Sequence, residues 1–324
     1  KGGNLNHMFH VPDPHVYEYD VKIDSNGFRN DTDLKTADIV VIGDSFIEGA
    51  EVSSLDLITS RLSALQGKSV NNLGTIHYGP QQELIVLKRY ALPLNPEIIV
   101  WAFYEGNDLR NIYDYKVGIK ELKAKTAKSH SFRERSFTKN ILLAANRVFG
   151  NFKPSVMKRS GIIKKSGGGE ERIYFLFDGK PLSDKDISAL DETSSVLSEA
   201  YDLTSKKEIK LIVIFIPTKF RVYNEILDYE TESECSNWVV NDLPGRFRKI
   251  ISNISHEIGY IDLTPGLIES AKAGAGPYFI DDSHWSPEGH YVAARAIHEY
   301  ISKKPEEISK QKRTRIGLKA ETLF

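Results

Sequence analysis

A serine hydroxyl becomes a useful nucleophile only when a base takes its proton, and a histidine does this well only when a carboxylate holds its tautomer. Two stretches of this sequence supply those residue types, Gly43-Asp44-Ser45 and Asp281-Asp282-Ser283-His284. The two aspartates stand three and two residues before His284, so one short loop can deliver both the base and the group that orients it. Acyl transfer also needs donors where the oxyanion develops. The Ser45 N–H, an N–H in the Gly74–Gly79 loop and the side-chain amide of Asn107 in Gly106-Asn107-Asp108 all qualify.

These residues need elements that bring them together. Ile39-Val40-Val41-Ile42 reads as a short strand buried on both faces, broken by Gly-Asp-Ser, which puts Ser45 at a strand's C-terminal end. In open α/β sheets that edge is where ligands bind. Apolar residues at helical spacing follow (Leu55, Ile58, Leu62, Leu65). Ser69–Leu73 is a second strand, and Gln81 to Leu92 a helix stopped by Pro93 and Pro96. Glu97–Phe103 is a third strand, running into Gly106-Asn107-Asp108. Strands alternating with helices imply a parallel sheet with right-handed crossovers.

From Leu109 to Gly169 the pattern becomes basic and weakly helical (Ile119–Lys128, Thr138–Phe149) and closes in a glycine-rich run, which reads as an insertion. Arg172–Phe177 with Asp178-Gly179 resembles half of a hairpin, and Ile187–Lys206 is a long helix. Lys210–Ile216 is a fourth buried strand, with helices expected at Arg221–Leu227 and Asn237–Ile258. Tyr260–Leu263 is a fifth strand, and Ser286–Ser302 a closing helix with Ser286 as its cap. The expected organisation is an irregular arm over 1–37, a catalytic domain over 38–302 with the insertion at 109–169, and a charged tail over 303–324.

Composition narrows the function classes. Lys plus Arg total 43 against 44 Asp plus Glu, for a net charge of −1, and no basic patch is interleaved with aromatics, so nothing asks for a nucleic-acid partner. The single cysteine, Cys235, rules out an intramolecular disulfide. No apolar run reaches the ~18 residues that span a bilayer. The chain starts at a lysine, so an upstream signal or anchor is compatible with it.

Taken together, Gly43-Asp44-Ser45, Asn72-Leu73-Gly74, Gly106-Asn107-Asp108 and Asp281-Asp282-Ser283-His284 resemble the four blocks of the SGNH (GDSL-type) hydrolase superfamily, in family order. The resemblance implies a three-layer α/β sandwich on a five-stranded parallel sheet, flavodoxin-like in order, with a helical insertion. It implies Ser45 as nucleophile, His284 as base and Asp281 as orienter, with Asp282 the alternative. The oxyanion hole is then Ser45, Asn107 and a glycine-block N–H. The family's glycine position falls on His77 here, with Gly79 as the alternative donor. The residues imply no metal and no organic cofactor.

Asn26-Gly27-Phe28-Arg29, Ile216-Pro217-Thr218-Lys219 and Asp282–His290 are further similar to bacterial polysaccharide O-acetyltransferases and acetylesterases. This implies an acylated carbohydrate substrate, a membrane-bound acyl-donor partner and a place outside the cytoplasm, periplasmic or membrane-anchored, with the cytoplasm still open. A lipid esterase or thioesterase with the same triad, and a non-catalytic glycan-binding protein, are the competing readings. His77, Tyr78 and Trp285 are expected to crowd the oxyanion end and favour acetyl over longer acyl groups.

Overall fold

The computed structural model describes residues 18–49, 51–127, 158–164 and 169–303. Strands β1 (Ile39–Gly43), β2 (Val70–Gly74), β3 (Ile98–Tyr104), β6 (Lys210–Ile216) and β7 (Gly259–Asp262) form one five-stranded parallel sheet in the order β2-β1-β3-β6-β7. Counting only these strands, the order is 2-1-3-4-5, the flavodoxin-like arrangement. β4 (Ser160–Lys164) and β5 (Glu170–Tyr174) form a separate antiparallel pair.

Successive side chains of a strand point to opposite faces, so the unbroken apolar runs of β1, β3 and β6 demand cover on both sides. Ile39, Val41, Val100 and Ile212 pack on one face with α2 (Ile58–Gln66), α8 (Thr264–Lys272) and α9 (Pro287–Ser302). Val40, Ile42, Ile99 and Val213 pack on the other with α3 (Pro80–Val86), α4 (Asp108–Ala127), α5 (Asp184–Ser205) and α7 (Leu243–Ile254). Helix, sheet and helix give three layers.

Several elements depart from the expected ones. Leu55 is 83% exposed in a 3₁₀ turn and not on a helix face, because the helix starts only at Ile58. The hairpin strand β5 pairs backward with β4, so Asp178-Gly179 is not its turn. Lys219–Tyr223 forms a shorter helix, α6, than the expected Arg221–Leu227. α7 begins at Leu243, six residues into the span expected from Asn237, with Pro244 in its first turn. α8 was not expected: its Thr-Pro-Gly start reads as a breaker, yet proline suits a first helical turn. Leu109 and Ile112, at the start of the expected insertion, are buried in the second face. The expected helix Thr138–Phe149, the run 165–168, the first 17 residues and the tail beyond 303 lie outside the described residues.

Candidate active site

β1 ends in Gly43, and the chain turns at Asp44 into the short helix α1 (Ser45–Glu48). Asp44 caps that helix, its Oδ1 accepting from Phe46 N–H at 3.0 Å. The turn is held from β2, which lies beside β1 with Gly74 opposite Gly43. Asn72 Nδ2 donates to the Ile47 carbonyl at 2.6 Å, while its Oδ1 accepts from Gly74 N–H at 2.8 Å. Gly74 must be glycine here: a Cβ would land on the Glu48 nitrogen and 2.5 Å from the Ile47 carbonyl carbon. Asn72 and Gly74 thus seat the serine turn against the sheet.

The histidine arrives from the far end of the chain. The Tyr278–Trp285 bridge, with Phe279 N–H donating to the His284 carbonyl at 3.1 Å, folds residues 278–285 into a tight loop ahead of α9. His284 Nε2 lies 2.7 Å from Ser45 Oγ. Its Nδ1 lies 2.5 Å from Asp282 Oδ1.

Asp282, not the preferred Asp281, therefore meets the imidazole. The reason is local: Asp282 Oδ1 also accepts from the His284 backbone N–H at 2.7 Å, an Asx turn that aims residue i at the ring of i+2. Asp281 is buried on the side of Tyr174 and Lys219.

Charge follows geometry. Burial works against the imidazolium, but the Asp282 carboxylate, by charge and hydrogen bond, outweighs it and raises His284 above its ordinary value. Burial likewise opposes the Asp282 carboxylate, yet His284 and its two hydrogen bonds hold it below the usual range. Beneath Asp44 lie two buried carboxyls, Glu83 and Asp108. Burial first, then neighbouring carboxylates, push both well above the carboxylate range.

Asn107 Nδ2 donates to Asp44 Oδ2 at 3.2 Å. An amide nitrogen has two donors, so one remains. The Gly79 N–H is taken by Gln82 Oε1 at 3.3 Å as α3 begins. His77 is exposed and sits at φ +65°, a left-handed conformation natural to the glycine that the family pattern has there. Trp285 does not crowd the cleft as expected. It is 0% exposed, packed edge-on against Phe46 and His290. His290 is also a structural residue, its Nδ1 accepting from Ile58 N–H at 3.2 Å to start α2. Burial pulls it down to about 3, so it stays a neutral acceptor.

Sequence reasoning gave no role to the buried Glu105–Arg221 pair. Glu105 accepts from Arg221 and from Thr218 N–H, tying the loop after β3, which carries Asn107, to the loop after β6. A charged residue just past a wholly apolar strand was the available signal.

Residues 175–322 match the family model described as the SGNH hydrolase-like domain of acetyltransferase AlgX. Over that segment the chain is similar to an SGNH hydrolase-like domain. The matched segment holds β6, β7 and the histidine loop, and the Ser45 turn lies outside it. Over 187 residues the chain is 24% identical to a protein of Pseudomonas putida described as Probable alginate O-acetylase AlgJ, covering 56% of this chain and 43% of that protein. The chain thus spans less than half the length of the curated relative it matches.

Among solved structures, the acetylxylan esterase Axe2 of Geobacillus stearothermophilus is 14% identical, with a TM-score of 0.42, over 84% of this chain and 96% of that one. A lipolytic G-D-S-L family protein of Desulfitobacterium hafniense is 12% identical, with a TM-score of 0.42, over 81% and 98%. Both scores are below 0.5, so the flavodoxin-like fold rests on the chain's own strand order.

Proposed function

We propose that this protein is a serine-dependent ester hydrolase or acyltransferase acting on O-acetyl groups of a carbohydrate, through an acyl-serine intermediate. The observation that carries the reading is the relay Ser45 Oγ, His284 Nε2, His284 Nδ1, Asp282 Oδ1, with contacts of 2.7 and 2.5 Å. Ser45 Oγ attacks the ester carbonyl while His284 Nε2 takes its proton. The Ser45 N–H at the start of α1, the free donor of Asn107 and the His77 N–H are assigned to the developing oxyanion. The imidazolium, steadied by Asp282, returns its proton to the departing alcohol. Water or a sugar hydroxyl then attacks the acyl-serine while giving its proton to His284, and the imidazolium passes that proton to Ser45 Oγ as the acyl–Oγ bond breaks. The products are the free acid or a newly acylated sugar.

The carbohydrate and the acetyl group are supported by the AlgX family description, the name of the AlgJ-like relative and the matching sequence stretches. A carbohydrate of that kind implies work outside the cytoplasm beside a membrane-bound acyl donor. Among the described residues no helix is long and apolar enough to cross a membrane.

A chain-length series of model esters, run with and without a polysaccharide acceptor, tests the proposal. Turnover is expected to fall from acetyl to butyryl to octanoyl, and an acceptor that gains acetyl groups distinguishes transfer from hydrolysis. Each buried methylene is worth about 0.8 kcal/mol, so an enzyme built for fatty chains gains several-fold per carbon. Faster turnover of octanoyl than acetyl esters would replace this reading with a lipid esterase or thioesterase.

A further inference from the structure

Lys219 opens α6 just beyond the C-terminal end of β6, and its side chain is buried beneath the histidine loop. Its Nζ donates to the carbonyls of Phe279 at 2.5 Å, Ile280 at 2.6 Å and Asp282 at 3.0 Å. An ammonium has three donors and no acceptor, so its capacity is filled by one short stretch of backbone. A buried cation is costly to keep, and a residue needed only to fill this volume would carry no charge. Tyr174 N–H donates to the Ile280 carbonyl at 3.0 Å, and Tyr278 Oη to the Pro217 carbonyl at 2.6 Å.

We propose that Lys219 is a positioning residue for acyl transfer: its ammonium gathers the carbonyls of Phe279, Ile280 and Asp282 and so sets the backbone from which the Asp282 carboxylate reaches His284. The inference rests on the reading of Ser45, His284 and Asp282 as a triad. It assigns Lys219 no contact with substrate; the residue acts through the loop.

The protonation of Lys219 gives the clamp a pH dependence. Burial draws the ammonium down to about 7, opposed by Asp282 and Asp281 on the loop and by Glu171 on β5. The face of the Phe175 ring lies 5.7 Å from Nζ. A neutral amine has two N–H donors and a lone pair, so it cannot serve three carbonyls. The clamp loosens as pH rises through the titration of Lys219.

The full chain is assayed as wild type and as Lys219→Met, with a fluorophosphonate probe for Ser45, steady-state kinetics on an acetyl ester and circular dichroism for the fold. A wild type that fails to label at Ser45 overturns the triad reading, and this inference with it. With the wild type labelled, folded K219M is expected to lose about 10²-fold in kcat with KM changed by less than about threefold, since the loop sets geometry and not substrate affinity. K219M turnover within about twofold of wild type overturns the Lys219 inference alone. A second measurement follows Nζ of Lys219 by ¹⁵N-lysine NMR while kcat of wild type and K219M is measured across the same pH range, so that the rise from His284 deprotonation, common to both, divides out. A wild-type to K219M ratio that falls as Nζ deprotonates is the expected result. A ratio that stays level or rises through that titration overturns the inference.

Discussion

One oxygen of Asp282, Oδ1, accepts from both the backbone N–H and the ring Nδ1 of His284, at 2.7 and 2.5 Å. The oxygen that shapes the turn thus also selects the tautomer that leaves Nε2 free to face Ser45 Oγ. Asp282→Asn is therefore expected to lower kcat by about 10⁴-fold with the fold retained, because an amide permits the wrong tautomer. Asp281→Asn, one residue away, should cost less than about tenfold. Steady-state kinetics on an acetyl ester compares the two, and a larger loss in D281N would reverse the assignment.

Catalysis by His284 as a base requires the neutral ring, so activity rises with pH through its titration. Asp282 holds that titration above the ordinary imidazole value, which moves the acid limb of kcat/KM upward. In D282N the residual activity should show its acid limb at lower pH, since the carboxylate that favours the imidazolium is gone. The sign for stability is opposite. A raised histidine adds stability that is fully present below its unfolded value near 6.5 and lost as pH rises through the folded one. A pH–rate profile of both proteins checks the direction.

Ser45→Ala should leave the melting transition close to that of wild type while removing turnover by on the order of a millionfold. A fluorophosphonate probe should label the wild type at Ser45 and leave S45A unlabelled. Labelling that survives the substitution would place the nucleophile elsewhere.

Gly74→Ala puts a methyl group into the backbone of α1. Backbone cannot move aside as a flexible side chain can, so the serine turn must shift away from β2. Overpacking of this kind costs about 1–3 kcal/mol, and a displaced Ser45 should lower kcat by tenfold or more on the reasoning that small misplacements are costly. Urea unfolding and ester turnover measure the two effects, and a G74A protein with wild-type activity would show that the turn is not seated by this contact.

Glu83 is fully buried beside Asp44 and Asp108. Burial, then the Asp44 carboxylate, raises it well above its ordinary value of 4.5, so the folded protein holds the neutral acid. The unfolded chain then binds fewer protons than the folded one, and this group's contribution to stability falls as pH rises above about 4.5 towards the folded value. Glu83→Gln removes that slope. Its urea midpoint, relative to wild type, should be higher at pH 8 than at pH 5, and no change in that difference would mean that Glu83 is ionised in the fold.

The sheet and the meeting of Ser45 with His284 were legible in the sequence for a physical reason. Strands buried on both faces must be unbroken apolar runs, and β1, β3 and β6 are such runs, so their positions follow from composition over a few residues. Ser45 and Asn107 were then placed by the rule that loops at the C-terminal strand ends converge. His284 was placed by its residue type ahead of a capped helix.

Tertiary structure alone decided what depends on direction. Two adjacent aspartates in a loop have the same chemistry on paper, and only the Asx turn turns Asp282 towards the ring. Trp285 beside the histidine was as fit to line a cleft as to fill a core, and the packing of Phe46 and His290 put it in the core. Lys219 reads as a surface residue, since lysine is almost never fully buried. It is buried because three carbonyls lying 60, 61 and 63 residues further along the chain meet it there. No pattern within a sequence window holds a contact of that range.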